Sequence, residues 1–171
     1  DVDDDKCIDC PAGKYASDAG QSSCTSCAAG LYAADAAAQC SDCPEGTYSA
    51  AEATTCTDCS VGYFMSGPAA SACLACGTGT YASSEGSEGC TDCPAGYSAS
   101  STGASSCSPC ASGTYAEAGS SECTKCDGGT WSDTSAASCS SCTPGTYSGA
   151  GAEACTDCDA GKHSGASASS C

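Results

Sequence analysis

The sequence predicts a small disulfide-rich fold, mostly irregular with short β-hairpins and little or no helix. We expect an elongated linear array of about ten repeats of 16–17 residues. Two observations predict this fold. A Cys-x-x-Cys pair recurs along the 171 residues, and it accounts for nearly all of the 21 cysteines. A Gly stands three positions after the second cysteine of every pair, and an aromatic residue usually follows two positions later.

The repeats begin at Cys7, and an acidic segment precedes them. We interpret residues 1–6 as an acidic linker or as the end of a preceding module. The chain starts at Asp1 without a signal peptide or a membrane span, and Cys171 would open another repeat. We therefore expect a segment of a longer mature protein. The predicted repeats are 7–23, 24–39, 40–55, 56–72, 73–89, 90–106, 107–122, 123–138, 139–154 and 155–170.

The segment between the second cysteine and the Gly predicts a tight turn. In repeats one, three and six it reads Cys-Pro-x-Gly, as at Cys10-Pro11-Ala12-Gly13. Pro at the second turn position and Gly at the fourth fit a type I turn. Pro144 stands one position later than the other prolines, so repeat nine is expected to need a variant turn.

The aromatic position predicts extended backbone and a small core. Sequences such as Thr-Tyr-Ser favour strands, and one ring beside a cystine is expected to form the core of each thin repeat. Repeat six has Ser98 at this position with Tyr97 before it, and repeat ten has His163. The rings are Tyr15, Tyr32, Tyr48, Phe64, Tyr81, Tyr115, Trp131 and Tyr147.

The remaining stretch of each repeat is small and polar, and it predicts a loop. The change between 16 and 17 residues falls in this stretch. Residues 33–39 favour helix by composition, but a segment so short is not stable alone, since isolated helices need roughly 12–15 residues. We expect one helical turn at most.

Composition predicts a secreted or cell-surface protein. So dense a set of cysteines is typical of an oxidising compartment. Large apolar residues are scarce, with one Phe, one Met and one Trp. Burial alone cannot offset the entropy of folding such a chain. A disulfide that closes a loop of ~15 residues contributes roughly 3 kcal/mol in the chain-entropy model.

The charge excludes several classes of partner. The net charge is −17 and the chain has no Arg, which argues against nucleic acid, anionic membrane surfaces and direct membrane insertion of this segment. The acidic residues are spread along the repeats and are expected to keep the array soluble. The absence of Asn excludes N-glycosylation, whereas the many Ser and Thr leave O-glycans open.

The disulfide pairing follows a rule if all repeats are equivalent. The simplest rule joins the second cysteine of one repeat to the first cysteine of the next, and Cys7 then pairs upstream. A crossed module, with Cys7–Cys24 and Cys10–Cys27, is the alternative, and sequence alone leaves both open. The serial rule gives Cys10–Cys24, Cys27–Cys40, Cys43–Cys56, Cys59–Cys73, Cys76–Cys90, Cys93–Cys107, Cys110–Cys123, Cys126–Cys139, Cys142–Cys155 and Cys158–Cys171.

The cysteine pairs are not expected to bind metal or to catalyse redox chemistry. Zinc needs discrete sets of four ligands, but here every pair has equal neighbours on both sides. A thioredoxin-type site needs one Cys-x-x-Cys within a βαβ pattern, which this chain lacks. The only His, His163, occupies an aromatic position, so no acid–base or nucleophilic set is expected and we predict no enzyme.

Calcium is the one candidate cofactor. Asp1, Asp3 and Asp5 cluster before the first repeat and resemble the acidic lead-in of a calcium-binding EGF-like module, since carboxylates suit Ca²⁺. The further ligands of such a site are not evident in the sequence. A solvated acidic linker is the competing interpretation.

The segment Cys40-Ser41-Asp42-Cys43-Pro44-Glu45-Gly46-Thr47-Tyr48-Ser49 resembles the ephrin-receptor-like cysteine-rich repeat, C-x-x-C-P-x-G-T-Y-S. The resemblance extends over 7–171 and, more loosely, to TNF-receptor-like modules. It implies short hairpins held by cystines and no catalytic activity. Similar arrays occur in large extracellular proteins of animals, algae and other protists, and the composition suits a unicellular eukaryote.

Two hypotheses for function follow. The first is an extracellular structural protein, a disulfide-stapled rod or spacer, or a subunit of a cell-surface filament or matrix such as a flagellar hair. Its partners would be other copies or other proteins. The alternative is a receptor-type ectodomain that binds a protein ligand. Its candidate patch is the most apolar region, Tyr63, Phe64, Met65 and Leu74.

Overall fold

The computed structural model describes residues 9–18 and 21–171. Cys7 and the calcium candidates Asp1, Asp3 and Asp5 lie outside these residues. The described residues form two compact lobes, one up to Ala75 together with Ala82–Cys90, and the other Cys76–Tyr81 together with Thr91–Cys171. The same local structure recurs in both lobes.

Short antiparallel hairpins make up the regular structure of the described residues, which contain no helix. This confirms the predicted fold class, and residues 33–39 contain a turn rather than a helical turn. Each strand pairs with its neighbour along the chain. The strands are β1 (Lys14–Tyr15), β2 (Thr25–Ser26), β3 (Leu31–Tyr32), β4 (Ser41–Asp42), β5 (Thr47–Tyr48), β6 (Thr57–Asp58), β7 (Tyr63–Phe64), β8 (Leu74–Ala75), β9 (Thr80–Tyr81), β10 (Thr91–Asp92), β11 (Tyr97–Ser98), β12 (Ser108–Pro109), β13 (Thr114–Tyr115), β14 (Thr124–Lys125), β15 (Thr130–Trp131), β16 (Ser140–Ser141), β17 (Thr146–Tyr147) and β18 (Thr156–Asp157).

Each hairpin joins two successive repeats. Its first strand ends at the aromatic position of one repeat, and its second strand consists of the two residues between the cysteines of the next repeat. Tyr48, for example, pairs with Thr57. In repeat six, Ser98 takes the place of the ring and pairs with Ser108. Tyr97 therefore stays at the preceding position and does not replace the missing ring.

The turn that precedes each hairpin differs from the predicted type I turn. Its hydrogen bond runs from the N–H of the residue after the Gly, as from Lys14 to the carbonyl of Pro11 at 3.1 Å. Gly13 is therefore the third turn residue, where a φ of +85° is typical of a type II turn. Repeat nine has the same bond, from Thr146 to Thr143 at 3.0 Å. The expected variant turn is wrong, because every turn begins one residue later than the prediction placed it.

Backbone hydrogen bonds tie each repeat to the next one. The N–H of Gly46 donates to the carbonyl of Met65 at 2.8 Å, and the N–H of Cys59 donates back to the carbonyl of Gly46 at 2.8 Å. The N–H of Ala69, in the loop of repeat four, donates to the carbonyl of Cys43 at 2.8 Å. Equivalent bonds recur in both lobes. Because backbone groups removed from water need partners, these bonds hold successive repeats in register.

A further contact reaches past the neighbouring repeat to the one after it. A Cβ built on Gly129 would overlap the carbonyl oxygen of Ser167, two repeats later, and Gly13 stands in the same relation to Glu52. These loop residues themselves have positive φ angles, 57° at Ser167 and 60° at Glu52. The recurrent Gly thus has two causes. One is its left-handed backbone, and the other is the close carbonyl.

Every cysteine of the described residues is disulfide-bonded. The bonds follow the serial rule and are incompatible with the crossed module, because Cys24 bonds to Cys10. In repeats one to nine the loop between the bonded cysteines contains the first strand of a hairpin, and the second strand follows the loop. Those with described geometry are Cys10–Cys24, Cys27–Cys40, Cys43–Cys56, Cys59–Cys73, Cys93–Cys107, Cys110–Cys123, Cys126–Cys139, Cys142–Cys155 and Cys158–Cys171.

The core consists of sulfur and small side chains rather than rings. The second cysteines of repeats one to nine are buried, as are most of the Ala or Ser residues three positions after the Gly, such as Ala116 and Ser132. The described rings are only half-buried at the aromatic position. The prediction that a ring forms the core of each repeat is therefore wrong. The position three residues after the Gly is Ala or Ser in every repeat except repeat four, which has Met65.

Candidate interaction surface

A shallow cleft recurs at equivalent positions of the repeats. It is lined by the aromatic residue of one repeat, by two or more residues of the next repeat, and by the first cysteine of the repeat after that. Tyr15 with Cys40, Tyr48 with Cys73, and Tyr115 with Cys139 are the corresponding pairs in three clefts. Each ring thus lies beside the cystine that links the following two repeats.

The residue after the Gly distinguishes one cleft from another. In the cleft of repeats one to three this residue is Leu31, and in the cleft of repeats seven to nine it is Thr130. The latter cleft is also lined by charged residues, among them Lys125 and Asp127. In the cleft of repeats three to five it is a second ring, Tyr63. Sequence reasoning did not predict these clefts, since their walls come from three different repeats.

The cleft of repeats three to five is uncharged. It encloses about 270 Å³ and is lined by Tyr48, Ser60, Tyr63, Ala72 and Cys73. The residue after the Gly, Tyr63, lines this cleft, so the length of its side chain affects the size of the cleft. The rings of Tyr48 and Tyr63 make it the most aromatic of the three clefts.

The predicted apolar patch is divided between two faces of one hairpin. Tyr63 pairs with Ala75, and Phe64 pairs with Leu74. Paired residues share a face, and successive residues of a strand alternate between faces. Tyr63 and Leu74 are exposed by 42% and 56%, whereas Phe64 and Met65 are half-buried. The four residues therefore do not form one continuous surface.

A polar network links the first three repeats. The Ser26 hydroxyl donates to Oε1 of Glu52 at 2.6 Å, and Lys14 Nζ lies 3.8 Å from the same oxygen. The hydrogen bond from Ser26 and then the charge of Lys14 lower the pKa of the Glu52 carboxyl. All three groups are solvent-exposed or half-exposed, so this network is a modest link between repeats rather than a reactive site.

His163 is exposed. Within 9–18 and 21–171, no group of three or more His, Cys, Asp or Glu side chains could hold a metal ion. Over the same residues, no helix is long and apolar enough to cross a membrane.

The comparison with known families agrees with the cysteine spacing and the hairpins. The family model described as tyrosine-protein kinase ephrin type A/B receptor-like matches residues 2–39, 46–93 and 62–110, together more than half of the chain. The chain belongs to this ephrin-receptor-like family. No curated protein matches it. The family is a type of extracellular, non-catalytic module, so the chain is an extracellular disulfide-rich domain.

Proposed function

We propose that the array is a structural element of the cell surface, either a stiff spacer or the subunit of a filament or matrix. The observation that carries this proposal is the uniform coupling of the repeats. Within each lobe, successive repeats are joined by cystines and by the same backbone hydrogen bonds. Bonds that repeat at successive steps resist bending, which is what a spacer requires.

The contacts between every second repeat add to this coupling. At Gly129 and Ser167 the backbone of one repeat meets the backbone of the repeat two positions later. Bending between two neighbouring repeats would therefore also disturb the contacts that reach to the repeat after next. A chain of independent modules joined by flexible linkers lacks such contacts.

The charge supports an extended, soluble form. With a net charge of −17 on 171 residues, the repeats repel one another along the array and disfavour a folded-back form. Assembly of copies would then depend on screening by salt. Exposed hydroxyl groups, such as those of Thr57 and Thr124, are available for O-glycans.

Small-angle scattering of the oxidised protein tests the proposal. A compact domain of this length has a radius of gyration of about 16 Å, and an unfolded chain about 44 Å. We expect a radius well above the compact value together with the scattering of a constant cross-section. Electron microscopy at physiological salt would then look for filaments. A monodisperse particle with a radius near the compact value would overturn the proposal.

A receptor-type module is the second candidate. It is favoured by one observation, the exposed apolar residues Val61, Tyr63 and Leu74. A receptor module needs a specialised surface, and these residues lie within one short stretch. If substitution of Tyr63 and Leu74 by polar residues left every partner interaction intact, this candidate would lose its support.

A further inference from the structure

Repeat four departs from the other repeats at positions next to its Gly. The residue after the Gly is Thr in five repeats, but Tyr63 here, and repeat six also has a Tyr, Tyr97, at this position. Each of those Thr hydroxyls donates to the carbonyl three residues earlier, as from Thr130 to Asp127 at 2.8 Å. The third residue after the Gly is Ala or Ser in every other repeat, but Met65 here. Tyr63 thus replaces a residue that stabilises the turn.

Burial of the Tyr63 side chain does not compensate for the missing Thr hydrogen bond. Tyr63 is 42% exposed, and the nearby Val61 is 43% exposed. The exposed large hydrophobic residues of the described chain all fall within 61–74. A large ring that gives up a turn hydrogen bond and remains in solvent does not stabilise its own repeat. Because Leu74 lies on the opposite face of the hairpin, the exposed ring of Tyr63 beside its cleft is the apolar group that indicates a binding surface.

The size of the cleft beside Tyr63 limits what it can accept. Its volume of about 270 Å³ is close to the lower end of the roughly 300–1,000 Å³ of ligand pockets, and the cleft is shallow and open rather than enclosed. It is large enough for one long side chain. The occupant that fits is therefore a side chain of another polypeptide.

Charge identifies the kind of side chain. Two tyrosine rings, Tyr48 and Tyr63, line the cleft, and none of its lining residues is charged. The faces of such rings attract cations. The whole chain carries a charge of −17 and has no Arg of its own, so its field concentrates cationic partners. We infer that this cleft docks an Arg or Lys side chain of a partner protein, flanked there by apolar residues that contact Val61.

The other two described clefts lack this combination. The cleft of repeats one to three has one ring, with Leu31 at the position of Tyr63. The cleft of repeats seven to nine already contains a cation, Lys125, and has Thr130 at that position. Of the three clefts, the one beside Tyr63 is therefore the expected binding site.

An NMR titration of the oxidised protein tests the inference. The probe is the peptide acetyl-Gly-Leu-Arg-Leu-Gly-amide, and the control peptide has citrulline, the neutral isostere, in place of Arg. The test variant is Tyr63→Thr, which introduces the residue of five other repeats and so preserves the turn. Tyr63→Phe keeps the ring. Leu74→Ser removes an exposed apolar side chain from the opposite face of the hairpin.

We expect the Arg peptide to shift the resonances of Tyr48 and Tyr63, and its affinity to fall with added salt. Tyr63→Thr should weaken binding at least fivefold, whereas Tyr63→Phe and Leu74→Ser should change it less than twofold. Equal binding of the citrulline peptide would overturn the inference, as would equal losses in Tyr63→Thr and Leu74→Ser. Absence of binding, with a Tyr63-dependent dimer in sedimentation, would assign the cleft to a second copy instead.

The inference does not depend on the proposed spacer function. Tyr63→Thr is expected to leave the scattering of the array unchanged, since it alters no bond between repeats. A compact scattering particle that still binds the Arg peptide would overturn the spacer alone. An extended particle that ignores the peptide would overturn the docking site alone.

Discussion

Replacement of Gly129 by Ala should destabilise the array through two separable effects. The first is conformational, because Gly129 has a φ of +88°, and an L-residue in a left-handed conformation costs about 1–2 kcal/mol. The second is steric, because the added Cβ would overlap the carbonyl oxygen of Ser167. A forced shift of packed backbone costs about 1–3 kcal/mol. We therefore expect a loss of about 2–5 kcal/mol in the free energy of unfolding.

Gly145 provides the matched control. Its φ is +87°, and an added Cβ would meet nothing within 4 Å. Gly145→Ala should therefore show the conformational cost alone, about 1–2 kcal/mol. The difference between the two variants isolates the contact between repeats eight and ten. It should amount to about 1–3 kcal/mol, or roughly 5- to 150-fold in the equilibrium constant of unfolding.

Fluorescence of the single Trp reports on both sites. Trp131 lies in repeat eight, between the two glycines in sequence, and bridges to Ala152 of repeat nine. Guanidinium unfolding of the oxidised wild type, Gly129→Ala and Gly145→Ala gives the three free energies. Equal destabilisation of the two variants would refute the reasoning, because it would mean that the approach of Ser167 contributes nothing.

Three further predictions concern single residues. Ser148→Ala should lower the free energy of unfolding by about 1 kcal/mol, since the buried Ser148 hydroxyl donates to the repeat before it at 2.9 Å; no change in a denaturant midpoint would contradict this. Ala69→Gly should raise that free energy by up to about 1 kcal/mol, because a φ of 57° strains Ala but not Gly; a lowered midpoint would contradict it. The pKa of Glu52 is lowered by Ser26 and then by Lys14, so its contribution to stability should be present above the ordinary carboxyl pKa and lost as the pH falls through the folded-state pKa. Glu52→Gln should make the denaturant midpoint depend less on pH over that acidic range. The same pH dependence in wild type and variant would argue against the network.

The repeat fold could be predicted because its determinants are local and recur. The cysteine spacing defines the repeats, and the Gly and aromatic positions define the turn and the first strand of each hairpin. The structure has hairpins at these positions, as at Thr47–Tyr48 and Thr57–Asp58. The serial pairing needed only the assumption that all repeats are equivalent.

The turn type, the core and the clefts depend on contacts between repeats, which spacing alone does not reveal. The recurrence of Gly was visible, but its proximity to a carbonyl two repeats later was not. The buried positions hold small residues such as Ala116, and the rings are only half-buried. The apolar patch was identified by composition, but strand pairing separates Tyr63 from Leu74. Comparison of equivalent positions would have singled out Met65, and Tyr63 together with Tyr97.

Peptide mapping of the unreduced protein, with a count of free thiols, tests the central claim of a serially bonded array most directly. The account predicts that each fragment joins the second cysteine of one repeat to the first cysteine of the next, as in Cys43–Cys56 and Cys126–Cys139, with no free thiol among these cysteines. Fragments that link Cys24 to Cys7 and Cys10 to Cys27, or free thiols that bind zinc, would contradict it.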